Sequence, residues 1–342
     1  MVSRRRSTKG GPSLSDVARL ARVSTQTVSR VSMGADNVSP ATREKVLRAM
    51  NQLGYSPNRA AQALRRGSFK TIGVLTQQIQ CTGEALTTAG VLEAATEADY
   101  AVNLVQVKRP ESDDMRQAVY RLSHQTIDGL VVVQAGRAGL DHLSLPQAMP
   151  VAVSDSALVG YYPSASADQV GGVRDAVGHL LALGHRTVHH VSGPEGSQSA
   201  LIRKATWAAC LREAGSPVPE PVPGDWEAAA GYKAGLHLAA DPDVTAVFCG
   251  NDEVALGLIR AMHEQGRRVP QDVSVMGFDG LDLGEYSFPP LTTIRQDFKR
   301  HGREMVALVL EQVTTGPVDG SRSVIIPTEL VLRGSTTPPP TR

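Results

Sequence analysis

Gln26 and Arg30 are the first residues along the chain whose types and spacing suit a specific chemical task. Four positions apart, they share one face of a helix, and Thr25, Thr27 and Ser29 surround them with short hydrogen-bonding groups. A Gln side chain can bond both edge atoms of adenine, and an Arg those of guanine, so a face of this composition suits the major groove of DNA. Taken alone, the same residues would also make an ordinary solvated helix face.

The elements needed to hold that face are legible around it. In LSDVARLARVSTQTVSR, from Leu14 to Arg30, a first helix places Val17, Ala18, Leu20 and Ala21 on one side, with Ser15 positioned to cap its start. Val23 fills a tight turn, and Ser24 caps a second helix whose Val28 and Val31 face inward. The segment DNVSPATREKVLRAM then reads as a turn and a Pro-started third helix with Val46, Leu47 and Met50 as its apolar stripe, ending at Gly54. Tyr55, Ser56 and Pro57 break the chain before Asn58, which can cap a short helix through Arg65. Two turns are marginal as a free helix, so this segment is expected to be a coil that folds on its partner.

Charge separates this end from the rest. The formal net charge is only +1, but residues 1 to 68 carry 13 Lys and Arg against 3 Asp and Glu, leaving 22 against 31 for the remainder. A balance of +10 coinciding with a helix-turn-helix points to a polyanionic partner; a merely solvated basic face is the weaker alternative. Arg4, Arg5, Arg6 and Lys9 read as a basic arm that lies along phosphates or is simply a disordered tail.

From Thr71 onward strands alternate with helices. IGVLT, AVNLVQV, GLVVVQ, PVAVSD, VHHVSG, TAVFCG and VSVMGFD read as strands; helices are expected near 83–98, 112–125, 171–184, 197–214, 227–239 and 252–265. Such alternation means parallel sheets covered by helices. About 270 residues is too much for one sheet, so two doubly wound lobes are expected, with ligand between them at the carboxyl ends of the strands. The expected fold is thus an all-α helix-turn-helix headpiece joined to an α/β core of two doubly wound parallel-sheet lobes.

Several functions find no support. No apolar run approaches a membrane span, and the basic N-terminus is not followed by the apolar stretch of a secretory signal, so a cytoplasmic protein, associated with the nucleoid, is expected. Cys81, Cys210 and Cys249 have no metal-ligand spacing. His179, His185, His189 and His190 accompany no nucleophile motif, phosphate loop or HExxH, so they are expected to be structural. Neither enzyme activity, nor a cofactor, nor a metal is expected.

The words VSxQTVSRV, VSxxTREKV and YxPNRxAQxL, between Leu14 and Gly67, resemble the DNA-binding headpiece and hinge of the LacI/GalR family of transcriptional repressors. The resemblance implies an operator-DNA contact set of Leu14, Ser15, Ser24, Thr25, Gln26, Thr27, Ser29, Arg30, Asn37, Ser39, Thr42 and Tyr55, continued by Asn58, Arg59, Ala61, Gln62 and Leu64 in the hinge. It implies a headpiece over 1–57, a hinge over 58–69 and an effector-binding, dimerising core over 70–334 similar to periplasmic sugar-binding proteins. In that core the N-lobe is 70–167 and 297–325 and the C-lobe 168–296 and 326–334, with crossings near Ala167, Gln296 and Ile326. Residues 335–342, GSTTPPPTR with its preceding Gly, are read as a disordered tail; lacking heptads, they leave a homodimer as the implied state.

The same resemblance implies a sugar site of Asp155, Arg203, Asn251, Asp279 and Gln296, with Trp226 and Phe298 against the C–H face of a pyranose. Carboxylates and amides suit neighbouring hydroxyls, and Arg can fork across a pair. The blander alternatives are that Asn251 and Asp279 cap the following helices and that Trp226 is core. The pattern is broken where the other wall forms: Ala167 stands where a Phe would stack, Val133 replaces an Asn, and the loop Gln77 to Thr87 is unlike its counterpart. In the headpiece Thr25 replaces a Tyr and Met33 an Asn. A sugar-responsive repressor released from its operator by an inducer is the expectation; a corepressor-dependent regulator, a sugar-binding transport protein and an enzyme are the alternatives.

Overall fold

The computed structural model describes residues 11–33, 35, 37–56, 68–107, 117–118, 120–122, 127–133, 149–154 and 156–341. The arm at 4–9, the hinge residues Asn58, Arg59, Ala61, Gln62 and Leu64, and Asp155 lie outside the described residues, as does most of the helix expected over 112–125. By contact the chain divides into two units, Met1–Phe69 and Lys70–Arg342.

The first unit contains α1 (Leu14–Ala21), α2 (Thr25–Ser32) and α3 (Pro40–Leu53). Helices of 8, 8 and 14 residues are too short to persist alone, so they depend on a shared core of Val17, Val28 and Val46, all at 0% exposure, closed by Ala18, Ala21, Val31, Ala49 and Met50. Leu20 and Leu47, read as part of the apolar faces, are instead 42% and 46% exposed. At 100° per residue each lies roughly 105° from the centre of its helix's buried stripe. The cap of α1 also differs from expectation. Ser13, not Ser15, is the N-cap; its Oγ accepts from Asp16 N at 3.3 Å, while Ser13 N donates to Asp16 Oδ2 at 2.9 Å, a capping box that takes precedence over the serine two positions later. Arg22, at φ 55°, turns the chain between α1 and α2, and Gly54, at φ 63°, ends α3.

The second unit holds two sheets. The elements in chain order are β1 (Thr71–Thr76), α4 (Thr82–Glu97), β2 (Ala101–Gln106), β3 (Gly129–Val132), β4 (Val151–Val153), β5 (Ser164–Ala167) and α5 (Gln169–Ala182). They continue with β6 (His189–Val191), α6 (Gln198–Glu213), α7 (Ala228–Ala239), β7 (Ala246–Cys249), α8 (Asp252–Glu264), β8 (Ser274–Asp279), β9 (Thr292–Arg295), α9 (Phe298–Thr315), β10 (Ser323–Ile326) and β11 (Glu329–Val331). One sheet runs β10-β5-β4-β3-β1-β2, all parallel. The other runs β11-β9-β8-β7-β6, parallel except for the antiparallel edge pair β11–β9.

Both sheets are covered on two faces, which is why their strands read as apolar runs rather than alternations. In the first, Leu75, Leu130 and Val132 face one core, while Val74, Val131 and Ala152 face the other beneath α4 and α9. In the second, Val247, Cys249 and Val275 pack under α7 and α8, and Phe248, Met276 and Phe278 under α5 and α6 with Trp207. The seven strands read from sequence are present. The four short strands β5, β9, β10 and β11 and the helix α9 are additions, and they are the elements that lie beside the crossings.

The chain passes between sheets after Ala167, after Arg295 and after Ile326; Ile326 itself still pairs with Ala167, one residue beyond the expected boundary. The tail is a correction. Ser335 is fully buried, its Oγ donating to Val275 O at 2.6 Å and accepting from Thr292 N at 2.8 Å, and Thr337 N donates to Ser274 Oγ at 2.9 Å. Residues 335–337 therefore satisfy backbone groups beside β8 and β9 that a disordered tail would leave unpaired.

Candidate functional site

In the headpiece, Ser24 caps α2 as expected, accepting from Thr27 N at 3.1 Å. Thr25, Gln26 and Arg30 are exposed, and Ser29 is half-buried. Thr27 is half-buried too, its Oγ1 bonded to Ser24 Oγ at 2.9 Å, so it helps close the cap as well as bordering the polar face. Ser39 and Thr42 repeat that pairing at the start of α3. Leu14 opens α1, Ser15 and Asn37 are exposed, and Tyr55 packs partly against the three-helix core with its N–H on Met50 O. The described part of the expected contact set is thus split: Gln26 and Arg30 present free polar ends, while Ser24, Thr27, Ser39 and Thr42 are engaged at helix starts.

The second site is a cleft between the two sheets at the carboxyl ends of their strands, where open α/β sheets leave a crevice. Arg203, Trp226, Asn251, Asp279, Gln296 and Phe298 all line it, and they are the described members of the expected sugar-binding set. Asp279 ends β8 at φ 116° and Asn251 follows β7; Gln296 lies in the crossing after β9, and Phe298 is the first residue of α9.

Arg203 organises the floor. It is 4% exposed, and its guanidinium lies 3.8 Å from the Phe278 ring centroid. Nε donates to Gln169 Oε1 at 2.7 Å, Nη1 donates to the Gly250 carbonyl, and Nη1 stands 3.6 Å from Asp279 Oδ1. Gln296 Nε2 donates to that same Oδ1 at 2.7 Å, and Gln169 Nε2 donates to Gln296 Oε1 at 3.3 Å. The four side chains close a ring. A buried charge held this way keeps a fixed orientation, and breaking the pair by removing one partner costs about 3–5 kcal/mol.

Beneath the ring lies Asp252, fully buried, accepting from Leu281 N at 2.7 Å and Thr293 Oγ1 at 2.5 Å. Burial, then the neighbouring Asp279 charge, push its acid up to about 7. Asn251 does cap α8, accepting from Val254 N at 2.9 Å, yet its Nδ2 donates to Trp226 O at 3.1 Å, so capping and cleft lining are both its work. Asp279 caps no helix. Trp226 is half-buried, not core, and its ring lies so close over Gly193 that a Cβ there would fall 2.4 Å from it. A glycine is required for that approach.

The other wall comes from the β1–α4 side: Cys81, Thr82, Gly83, Glu84 and Thr87, with Val133. Thr82 Oγ1 donates to Glu253 Oε1, a direct hydrogen bond from the six-stranded lobe to the five-stranded one. Ala167 is buried and is not among the cleft residues. Sequence reasoning missed Gln169, Ser199, Glu84, Thr87 and His301. Gln169 carries a signal, being the first residue after Asp168, the N-cap at a crossing; Glu84 carries none, since its loop departs from the family pattern.

A helix-turn-helix with an exposed Gln/Arg face, joined in one chain to a two-lobed cleft of converging polar groups, defines a ligand-responsive DNA-binding transcriptional regulator. The chain belongs to the LacI family of bacterial regulatory proteins. The model of that family matches residues 13–58, and a periplasmic binding protein-like domain matches residues 177–336. The chain is 35% identical to the lactose operon repressor of Escherichia coli (strain K12), with 96% of this chain and 92% of that protein covered. In three dimensions it is similar to the Lac repressor dimer bound to operator and the anti-inducer ONPF, with a TM-score of 0.87, 33% identity, and 96% of this chain and 100% of that one covered. It is also similar to the transcriptional regulator CelR in complex with cellobiose, with a TM-score of 0.71, 30% identity, and 95% and 99% covered. The family is one of regulators, not of enzymes.

Proposed function

We propose that this protein is a homodimeric, cytoplasmic repressor that releases its operator when a sugar enters the cleft. The observation that carries the reading is the ring of Arg203, Gln169, Gln296 and Asp279 with Trp226 and Phe298 beside it. Fixed carboxylate, amide and guanidinium groups can bond adjacent hydroxyls, and the two aromatic rings offer apolar faces for C–H groups. Lactose, cellobiose and ribose are natural first candidates, since relatives are named for, or were solved with, such ligands. Residues Gln26 and Arg30 read base edges, Ser24, Thr25, Thr27, Ser29, Ser39 and Thr42 position the headpiece on phosphates, and residues 58–69 form the hinge between reading head and core.

The test is direct. DNA flanking the protein's own gene is titrated with the full chain, and the complex is then challenged with each sugar of a panel. Retention of a specific fragment and its release by one sugar support the reading. Retention only in the presence of a sugar would make the ligand a corepressor, and turnover of any sugar would overturn the assignment.

A further inference from the structure

Glu84 lies in the cleft wall that departs from the family pattern. It is the third residue of α4, is 6% exposed, and borders the cleft beside Thr82, Gly83 and Thr87. Its Oε2 is held by three donors: Thr76 Oγ1 at 2.5 Å, Gln78 N at 2.7 Å and Gln77 N at 3.0 Å. Because a carboxylate is planar, three bonds to one oxygen fix the direction of the other. That other oxygen, Oε1, is buried and has no hydrogen-bond partner among the described residues.

A buried acceptor without a donor is destabilising, and native chains rarely keep one without use. Burial pushes the Glu84 acid up while its three bonds pull the other way. Its opposite number across the cleft is already committed: Arg203 faces Asp279, Gln169 and the Gly250 carbonyl. Arg203 is also the single Lys or Arg among the described cleft residues, against the carboxylates of Glu84 and Asp279.

We propose that Glu84 reads the effector: its Oε1 accepts a hydrogen bond from a hydroxyl of a neutral sugar, and its charge turns away sugar phosphates and sugar acids. This rests on the reading of the cleft as a sugar site. A site built to bond a hydroxyl discriminates strongly against a ligand that cannot supply one, because the buried acceptor is then left unpaired. An anionic group placed at the same point meets a like charge in a poorly solvated wall, where repulsion is least screened.

The test uses the full chain, calorimetry and Trp226 fluorescence, with lactose, cellobiose, D-galactose, D-glucose and D-ribose as neutral probes and D-glucuronate, D-galacturonate and D-glucose 6-phosphate as anionic ones. Wild type is expected to bind at least one neutral sugar, and the anionic probes at least a hundredfold more weakly. In Glu84→Gln the neutral sugar should lose tenfold or more, and the gap to the anionic probes should narrow by a further tenfold. A side chain that only braces the Gln77–Gln78 loop would weaken both classes in parallel and leave the ratio unchanged; that result, or wild-type binding by Glu84→Gln, overturns the assignment. Asp279→Asn separates the two levels. If it abolishes binding while Glu84→Gln does not disturb it, only the role of Glu84 falls; if Asp279→Asn binds normally, or no neutral sugar binds the wild type, the cleft reading falls and the role of Glu84 with it.

Discussion

Gln169 donates to Gln296 across 3.3 Å, and each of these residues sits where the chain has just left one sheet for the other. Gln169 opens α5 after the crossing that follows β5, and Gln296 lies in the crossing that follows β9. Through Arg203 and Asp279 the same bond reaches the cleft floor. Anything that pulls on Arg203 or Asp279 therefore pulls, through Gln169 and Gln296, on the segments about which the lobes can turn, which is a physical route from ligand to lobe geometry.

Gln169→Leu should uncouple the two. It removes a donor to Gln296 and the acceptor of Arg203 Nε while leaving Asp279 in place, so sugar should still bind, within about tenfold, while its effect on operator affinity shrinks. Paired titrations of sugar and operator measure that coupling, and an unaltered coupling would show that the ring is only scaffold.

Arg203→Ala should be a poor test of binding because it is first a test of folding. It removes the guanidinium paired with Asp279 and leaves that carboxylate with the like charge of Asp252 nearby, and a loss of about 3–5 kcal/mol in core stability is expected by chemical denaturation. Asp279→Asn should cost far less, since the amide oxygen can still accept from Gln296 and Asn tolerates φ 116° better than most residues.

Acid should destabilise the five-stranded lobe through His190. The ring is fully buried between Phe248 and Trp207, its Nδ1–H donates to the Phe248 carbonyl at 2.9 Å, and burial lowers its pKa from 6.5 to about 4. Below pH 6.5 the unfolded chain takes up a proton that the folded chain refuses. The contribution is thus full above 6.5 and lost as pH falls toward 4, where it amounts to about 3 kcal/mol. His190→Leu should flatten the pH dependence of denaturant midpoints over that window; an unchanged slope would place the acid sensitivity elsewhere.

The sequence shows burial plainly, and hides what depends on partners distant along the chain. Val28, Val46, Phe248 and Phe278 could be placed because periodicity and apolar runs report burial directly. β5 reads SASA and β9 TTIR, four residues each with little apolar content, and they are strands only because neighbouring strands supply their partners. Ser13 and Ser15 are indistinguishable as caps until Asp16 is seen to bond back to Ser13. Glu84 gives no sign of being a cleft residue in the sequence, because its place is set by donors at 76–78 and by one oxygen without a donor among the described residues.

In the headpiece, Gln26→Ala should cost about 1–3 kcal/mol on the operator and little on random DNA, as expected for a base-reading side chain. Fluorescence anisotropy at matched salt measures both; equal losses would move Gln26 to the phosphates.

If ligand occupancy of the cleft controls operator binding, one titration shows it. The operator complex of wild type and of Asp279→Asn is titrated with the sugar that quenches Trp226, while operator affinity without sugar is measured in parallel. Operator affinities should be equal within about threefold, wild type should be released over the concentrations that quench Trp226, and Asp279→Asn should not be released at a hundred times that level. Release of Asp279→Asn at wild-type concentrations would contradict control of operator binding by the cleft.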